Sequence, residues 1–354
     1  MSVEFMWQLP GARDSRYADA RHYKRGERLP GEAYPYHKDI TDPRGNSFSY
    51  FDYLLQIARA ADLTGFDGIQ IPHDPQGDES WIIAGYLARS TRHLRLLTEF
   101  EASRGSSVYA AKNAVSYQRF SNQRFAWQLT KGGDEPARRQ LGDFVPNAKR
   151  HARIDEFLTV AKGVITQAPF SFKGEFFEVL DGGFQGPLGG NPVPRVYLSG
   201  DTQEAYDLSA RQADVHLLEA APVDKLVPAI TVLQQLAHQQ ERTLVMGLRI
   251  DVLARESEAE ALADAQRFWQ QADVGAVASL APGLWSQPVA NTDASAALVG
   301  SYAQVVEWLL AYHRAGIESF VLAASPHLEE AYRIGQHVLP LLRKALSASS
   351  PLAA

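Results

Sequence analysis

The residues best suited to chemistry stand in a few short segments. Ser199-Gly200-Asp201-Thr202 separates the apolar run Val-Tyr-Leu from Gln-Glu-Ala-Tyr-Asp-Leu-Ser-Ala-Arg-Gln, so a strand turns there straight into a helix beginning at Asp201 or Thr202. Such a helix points unpaired N–H groups and the positive end of its dipole at the strand's carboxyl end, a geometry that holds phosphate. Ser, Asp and Thr are equally the common N-caps of helices that bind nothing, so the turn alone leaves both readings open. Lys131, in Leu-Thr-Lys-Gly-Gly after Thr130, supplies an ammonium that could meet an anion at that turn, or else a solvated loop lysine. Arg249 and Asp251 alternate in Leu-Arg-Ile-Asp-Val-Leu and share one strand face. Charges turned inward from such a strand are either used or paired with each other. His73, Asp74 and Asp78, with Glu99 and Glu101, form the one metal candidate. No His-x-His pair or compact carboxylate cluster accompanies them, Asp74-Pro75 is ordinary turn chemistry, and no metal is expected. The set contains no nucleophile-base pair, which argues against a simple hydrolase.

These segments need a scaffold, and the chain reads as strand then helix, repeated. Expected strands are 3–9, 66–71, 94–100, 125–129, 196–198, 215–218, 244–254 and 319–323, with helices at 51–63, 81–90, 107–120, 154–166, 224–238, 259–271, 303–315 and 328–346 and another after Thr202. Residues 170–179 read as a β-hairpin outside the main sheet, turning at Lys173-Gly174. About eight strand-helix units point to an α/β fold, a (β/α)8 TIM barrel spanning 1–346, with insertions near 131–150, 168–193 and 272–300 and a tail at 347–354. An open doubly wound sheet is the alternative, but the Gly-x-Gly-x-x-Gly it would carry after its first strand is absent. In a barrel, function gathers at the carboxyl ends of the strands, where His73, Thr130, Lys131, Asp201, Thr202, Glu219, Arg249, Asp251, Ser325 and His327 fall.

Bulk composition narrows the class. The 354 residues are 45% hydrophobic and 21% charged, with a net charge of −6 and no long basic run, so neither nucleic acid nor an anionic membrane is an expected partner. The absence of cysteine excludes disulfides, thiolate nucleophiles and thiolate metal sites. The first residues, with Glu4 inside a short apolar run and no basic segment before it, read as a strand and not a signal peptide, so a cytoplasmic enzyme acting on small molecules is expected.

Several stretches together resemble the bacterial luciferase-like flavin monooxygenases, most closely the alkanesulfonate monooxygenase branch. They are Met6-Trp7-Gln8-Leu9-Pro10, Gln56 to Asp62 with Gly65-Phe66, Asp78-Glu79-Ser80-Trp81, Arg119 to Arg124, the hairpin Phe172 to Phe177, Arg249 to Glu256 and above all Ser319 to Arg333. The resemblance implies a luciferase-like barrel that takes reduced FMN (FMNH2) from a separate NAD(P)H-dependent flavin reductase. It reacts the flavin with O2 to a C4a-(hydro)peroxide, in that branch to desulfonate an organosulfur compound. It also implies cofactor contacts at Thr98, Thr130, Lys131, Ser199, Gly200, Asp201 and Thr202, reacting-end residues Arg249, Asp251, Ser325 and His73, and a homo-oligomer, dimer or tetramer. The departures are specific. Asp201 adds a negative charge where the branch has Gly-Gly-Ser-Ser, Asp251 replaces a His, Gly77 a Cys and Ser325 a Tyr, and the stretch between Gln271 and Ala296 is short. The replaced Cys, His and Tyr positions motivate a second reading, a flavin-binding or accessory barrel that has lost monooxygenation, and a third is another flavin or deazaflavin oxidoreductase on the same barrel.

Overall fold

The computed structural model describes residues 3–11, 50–75, 77–103, 105–271, 274–290 and 294–349. Its strands are β1 (Glu4–Gln8), β2 (Gly68–Ile71), β3 (Arg95–Glu101), β4 (Phe125–Thr130), β5 (Phe170–Lys173), β6 (Glu178–Gly182), β7 (Arg195–Ser199), β8 (Val215–Glu219), β9 (Val245–Arg255), β10 (Ser279–Ala281), β11 (Leu284–Trp285), β12 (Ala297–Ser301) and β13 (Ile317–Ala323). The order β9-β13-β1-β2-β3-β4-β7-β8, with β8 returning to β9, makes the eight-stranded parallel barrel of an α/β (β/α)8 fold. The helices are α1 (Tyr50–Thr64), α2 (Ser80–Ser90), α3 (Ser107–Ser121), α4 (Glu135–Gln140), α5 (Arg150–Thr166), α6 (Gln203–Gln212), α7 (Val223–Gln239), α8 (Glu258–Gln271), α9 (Tyr302–Arg314), α10 (His327–Arg333) and α11 (Leu339–Ser349). No helix among the described residues is long and apolar enough to cross a membrane. The described residues within 1–70, 218–230 and 246–354 form one compact unit, and those within 71–217 and 231–245 another.

In the first unit, β1 alternates so that Phe5 and Trp7 share a face. Phe5 stacks on Phe320 with centroids 5.5 Å apart, and Trp7 packs on Phe66 while its indole N–H donates to the His327 carbonyl at 3.1 Å. Burying rings of this size contributes on the order of 2 kcal/mol each, so these contacts fix how β1 and β13 meet the helices. Where the sequence marked only an insertion near 272–300, β10, β11 and β12 extend the sheet. Strand β12 runs parallel to β9 from Ala297 opposite Asp251 to Ser301 opposite Arg255. Strands of three and two residues are too short to show any periodicity.

In the second unit, Trp81 of α2, Phe100 of β3, Trp127 of β4 and Phe157 of α5 form an aromatic layer with centroids 5.2 to 6.4 Å apart. Phe100 and Trp127 thus mark the helix-facing sides of β3 and β4. The Arg124 guanidinium donates to the carbonyls of Ala88, Leu94 and Thr91 at 2.8 to 3.0 Å, tying the end of α2 to the loop before β3. The expected hairpin forms as β5 and β6, and its tip is held by the Glu156 carboxylate, which accepts from the N–H groups of Glu175, Phe176 and Phe177 at 2.8 to 3.2 Å. Inside the 131–150 insertion the chain forms α4, started by Asp134, whose carboxylate accepts from Ala137 N at 3.0 Å, with Pro136 in the first turn.

Candidate functional site

The second unit carries the phosphate-like turn. Strand β7 ends at Ser199, Gly200 adopts φ +130°, and the Thr202 hydroxyl accepts from Ala205 N at 3.3 Å, capping α6. A Cβ on Gly200 would lie 2.8 Å from the Ala205 methyl, so only glycine lets the turn close over the first turn of the helix. At the second helical position, the fully exposed Glu204 carboxylate accepts from its own N–H and from the Thr202 hydroxyl. These bonds hold it below the usual carboxylate range, and His151 and Lys131 reinforce them. His151, in the first turn of α5, loses proton affinity to burial and next to Lys131, while Glu204 opposes both. Lys131 and Glu204 thus act electrostatically on His151 from two other elements. His151 was not singled out in the sequence, where a lone His beside Arg150 at a helix start carries no spacing signal.

Beside this turn, the Thr130 hydroxyl accepts from Gly132 N at 3.2 Å. Thr130, Lys131, Ser103, Asp143, Arg150 and Arg153 line a cavity of about 20 Å³, room for a water and not for an isoalloxazine ring. His73 Nε2 lies 3.1 Å from Glu101 Oε1, His73 N donates to Glu99 Oε2 at 3.1 Å, and Ser103 donates to Glu101 Oε2 at 2.8 Å. Gly132 leaves the space that the Glu101 carboxylate fills. No group of three or more such side chains among the described residues is placed to hold a metal ion.

Thr98 lies within β3. It shares the Phe100 face of β3, is fully buried, and donates to Leu96 O at 3.4 Å. Period-two alternation turns it to the helix layer, away from the side that carries Glu99 and Glu101.

Arg249, Asp251 and Ser325 belong to the first unit. Arg249 Nη2 meets Glu219 Oε1 at 2.6 Å and Nε meets Oε2 at 3.3 Å, a two-point ion pair between β9 and the end of β8. Asp251 is buried, and its Oδ2 accepts from Val289 N at 3.1 Å and Ala290 N at 2.8 Å. Val289 O in turn accepts from Ser325 N at 3.3 Å. Asp251 therefore pins the segment before β12, and through it the backbone at Ser325. Glu219, noted in the sequence only as a strand-end acid, is the defined partner of Arg249.

A closed parallel barrel with polar side chains at the carboxyl ends of its strands defines an α/β-barrel enzyme class. The model of the luciferase-like monooxygenases matches residues 33–319, and the chain belongs to that family. Among solved structures, the EDTA monooxygenase EmoA from Chelativorans sp. BNC1 superposes with a TM-score of 0.73 at 15% identity, over 98% of this chain and 94% of that one. The long-chain alkane monooxygenase LadA gives 0.73 at 15% identity, over 98% and 92%. The coenzyme F420 dependent tetrahydromethanopterin reductase from Methanopyrus kandleri gives 0.67 at 13% identity, over 97% and 100%. At these identities the structures share the fold. They do not single out the alkanesulfonate branch, and they include a deazaflavin enzyme beside monooxygenases.

The residues at the turn fit a flavin phosphate. The first-turn N–H groups of α6, the Gly200 cradle and the Lys131 ammonium are donors a phosphate can use. Two carboxylates, Asp201 and Glu204, oppose it, and both are exposed and able to swing aside.

Proposed function

We propose that this chain is the oxygenating component of a two-component system, binding reduced FMN from a separate NAD(P)H-dependent flavin reductase and using O2 to oxidise a small organic substrate. The observation that carries the reading is the Ser199 to Thr202 turn, closed at Gly200 and capped by Thr202 at the α6 N-terminus, in a chain of the luciferase-like family. When bound, the flavin supplies the reaction with oxygen. The protein's own groups do the rest. Lys131, the α6 amides and the Thr202 hydroxyl hold the phosphate, and Thr130 shapes the turn before them.

At the reacting end, Arg249 offers a guanidinium already oriented by Glu219, suited to steadying negative charge on substrate or product. Asp251 acts as a positioning residue through Val289 and Ala290, and Ser325 and His73 stand as polar groups at strand ends. A small organosulfur compound is the substrate class to try first, on the alkanesulfonate-like segments. We also assign the whole 1–346 span to one barrel domain, a homo-oligomeric state and a cytoplasmic location. Anaerobic titration of the purified protein with reduced FMN tests the reading. Saturable binding supports it, whereas failure to bind reduced FMN, or binding of a deazaflavin in its place, overturns it.

A further inference from the structure

We propose that the water-sized cavity between the ends of β3 and β4 and the start of α5 is a binding site for a small monovalent anion, a halide such as chloride. Its polar lining is Ser103 after β3, Thr130 and Lys131 at the end of β4, Asp143 in the 131–150 insertion, and Arg150 and Arg153 in the first turn of α5. Three cations thus face one carboxylate, and that carboxylate is already shared. Asp143 Oδ2 accepts from Arg138 Nη1 at 3.3 Å, while Oδ1 accepts from Val145 N at 3.0 Å and lies 3.5 Å from Arg153 Nη1. The buried Arg138 adds a fourth positive charge beside Asp143. Among the described residues Lys131 and Arg150 form no ion pair, and Arg150 reaches only the Gly133 carbonyl, at 3.4 Å. Arg153 Nη2 donates to Ser103 O at 3.2 Å, but its Nε–H is buried with no acceptor among the described residues.

Lysine and arginine side chains donate and never accept, so the occupant that suits this lining is an acceptor. Cations crowded where water is scarce repel one another unless an anion lies among them. Burial, and then the Arg138 charge, hold the Arg150 pKa below its ordinary value, in keeping with that crowding. A halide accepts from every direction and brings the missing negative charge. Size sets the rest of the class: about 20 Å³ holds one particle of the size of a water and excludes tetrahedral sulfate or phosphate. The site shares Lys131 with the proposed phosphate turn but uses none of the α6 donors, and the inference stands whether or not the chain binds flavin. A bound halide joins the segment after β3, the insertion after β4 and α5 at one point.

The test is quadrupolar chloride NMR of the purified full-length chain, with sodium gluconate keeping the ionic strength constant so that general screening does not change. Wild type is expected to broaden the chloride resonance saturably, with bromide displacing the bound ion and sulfate leaving it in place. Arg150→Gln is expected to weaken chloride binding about tenfold, the scale of one charge-assisted hydrogen bond. Arg139→Gln removes an exposed arginine of the same insertion, paired with Glu135, and is expected to bind chloride as wild type does. Replacing gluconate by chloride at about ten times the dissociation constant is expected to raise the wild-type Tm by about 3 °C, a readout that needs no variant to fold. The proposal is overturned by wild type showing no saturable broadening or no such rise in Tm, or by unchanged chloride affinity in Arg150→Gln. An equal loss in Arg139→Gln, or displacement by sulfate as readily as by bromide, overturns it too, by showing that the ion sits on open surface and not in the cavity.

Discussion

Arg249 and Asp251 sit two residues apart on one strand face yet do different work. Arg249 holds a carboxylate in a two-point pair with Glu219, while Asp251 spends its buried oxygen on two backbone N–H groups. Arg249→Ala is therefore expected to lower turnover about 100-fold, the scale of one lost electrostatic contact at a reacting centre, and to leave reduced-FMN binding intact. Steady-state assays beside anaerobic titration check this, and unchanged turnover would remove Arg249 from the site. Asp251→Ala orphans Val289 N and Ala290 N and is expected to lower unfolding free energy by about 1–3 kcal/mol, read by urea titration. His216 offers a pH test. It is buried with Nδ1 2.8 Å from Ser209 Oγ, and burial pushes its pKa down to about 4. The unfolded chain, with an ordinary His near 6.5, then binds more protons than the folded one between about pH 4 and 6.5. Stability should fall by about 3 kcal/mol as pH drops through that window, and denaturant midpoints of His216→Gln should lack this limb.

At the scale of the element, the turn from β7 into α6 depends on its cap and its glycine. Removing the cap in Thr202→Ala is expected to cost about 1 kcal/mol of stability, and Gly200→Ala more, since φ +130° and the Ala205 methyl both oppose a Cβ. Thermal melts of both variants measure it, and a Gly200→Ala protein as stable as wild type would contradict the strained-turn account. This turn was legible in the sequence because a cap residue, a glycine and a change of period fall within a few positions. The face of Thr98 was not, because Leu96, Leu97, Thr98 and Phe100 are all buried and a strand covered on both sides loses its alternation. The short strands β10 and β11 escaped for want of length. Helix α4 was marked by Asp134-Glu135-Pro136, an N-cap followed by proline, but the glycines and arginines around it read as loop.

At the scale of the whole molecule, repetition made the barrel readable: a strand and a helix recur, and the closed order of eight parallel strands follows. Membership of the luciferase-like family agrees with that order, while the partner of each charged group was hidden in the sequence. Glu219 lies 30 residues from Arg249, and Val289 and Ala290 lie 38 and 39 from Asp251, separations that no local pattern encodes. The central claim is that the folded chain binds reduced FMN and governs its reaction with oxygen. The direct measurement loads the protein anaerobically with reduced FMN, mixes it rapidly with O2, and follows flavin reoxidation by absorbance. The account predicts reoxidation on a time course distinct from that of free reduced FMN, with oxygen transferred to an added organosulfur substrate. Reoxidation indistinguishable from free flavin, with all the oxygen appearing as hydrogen peroxide, would contradict it.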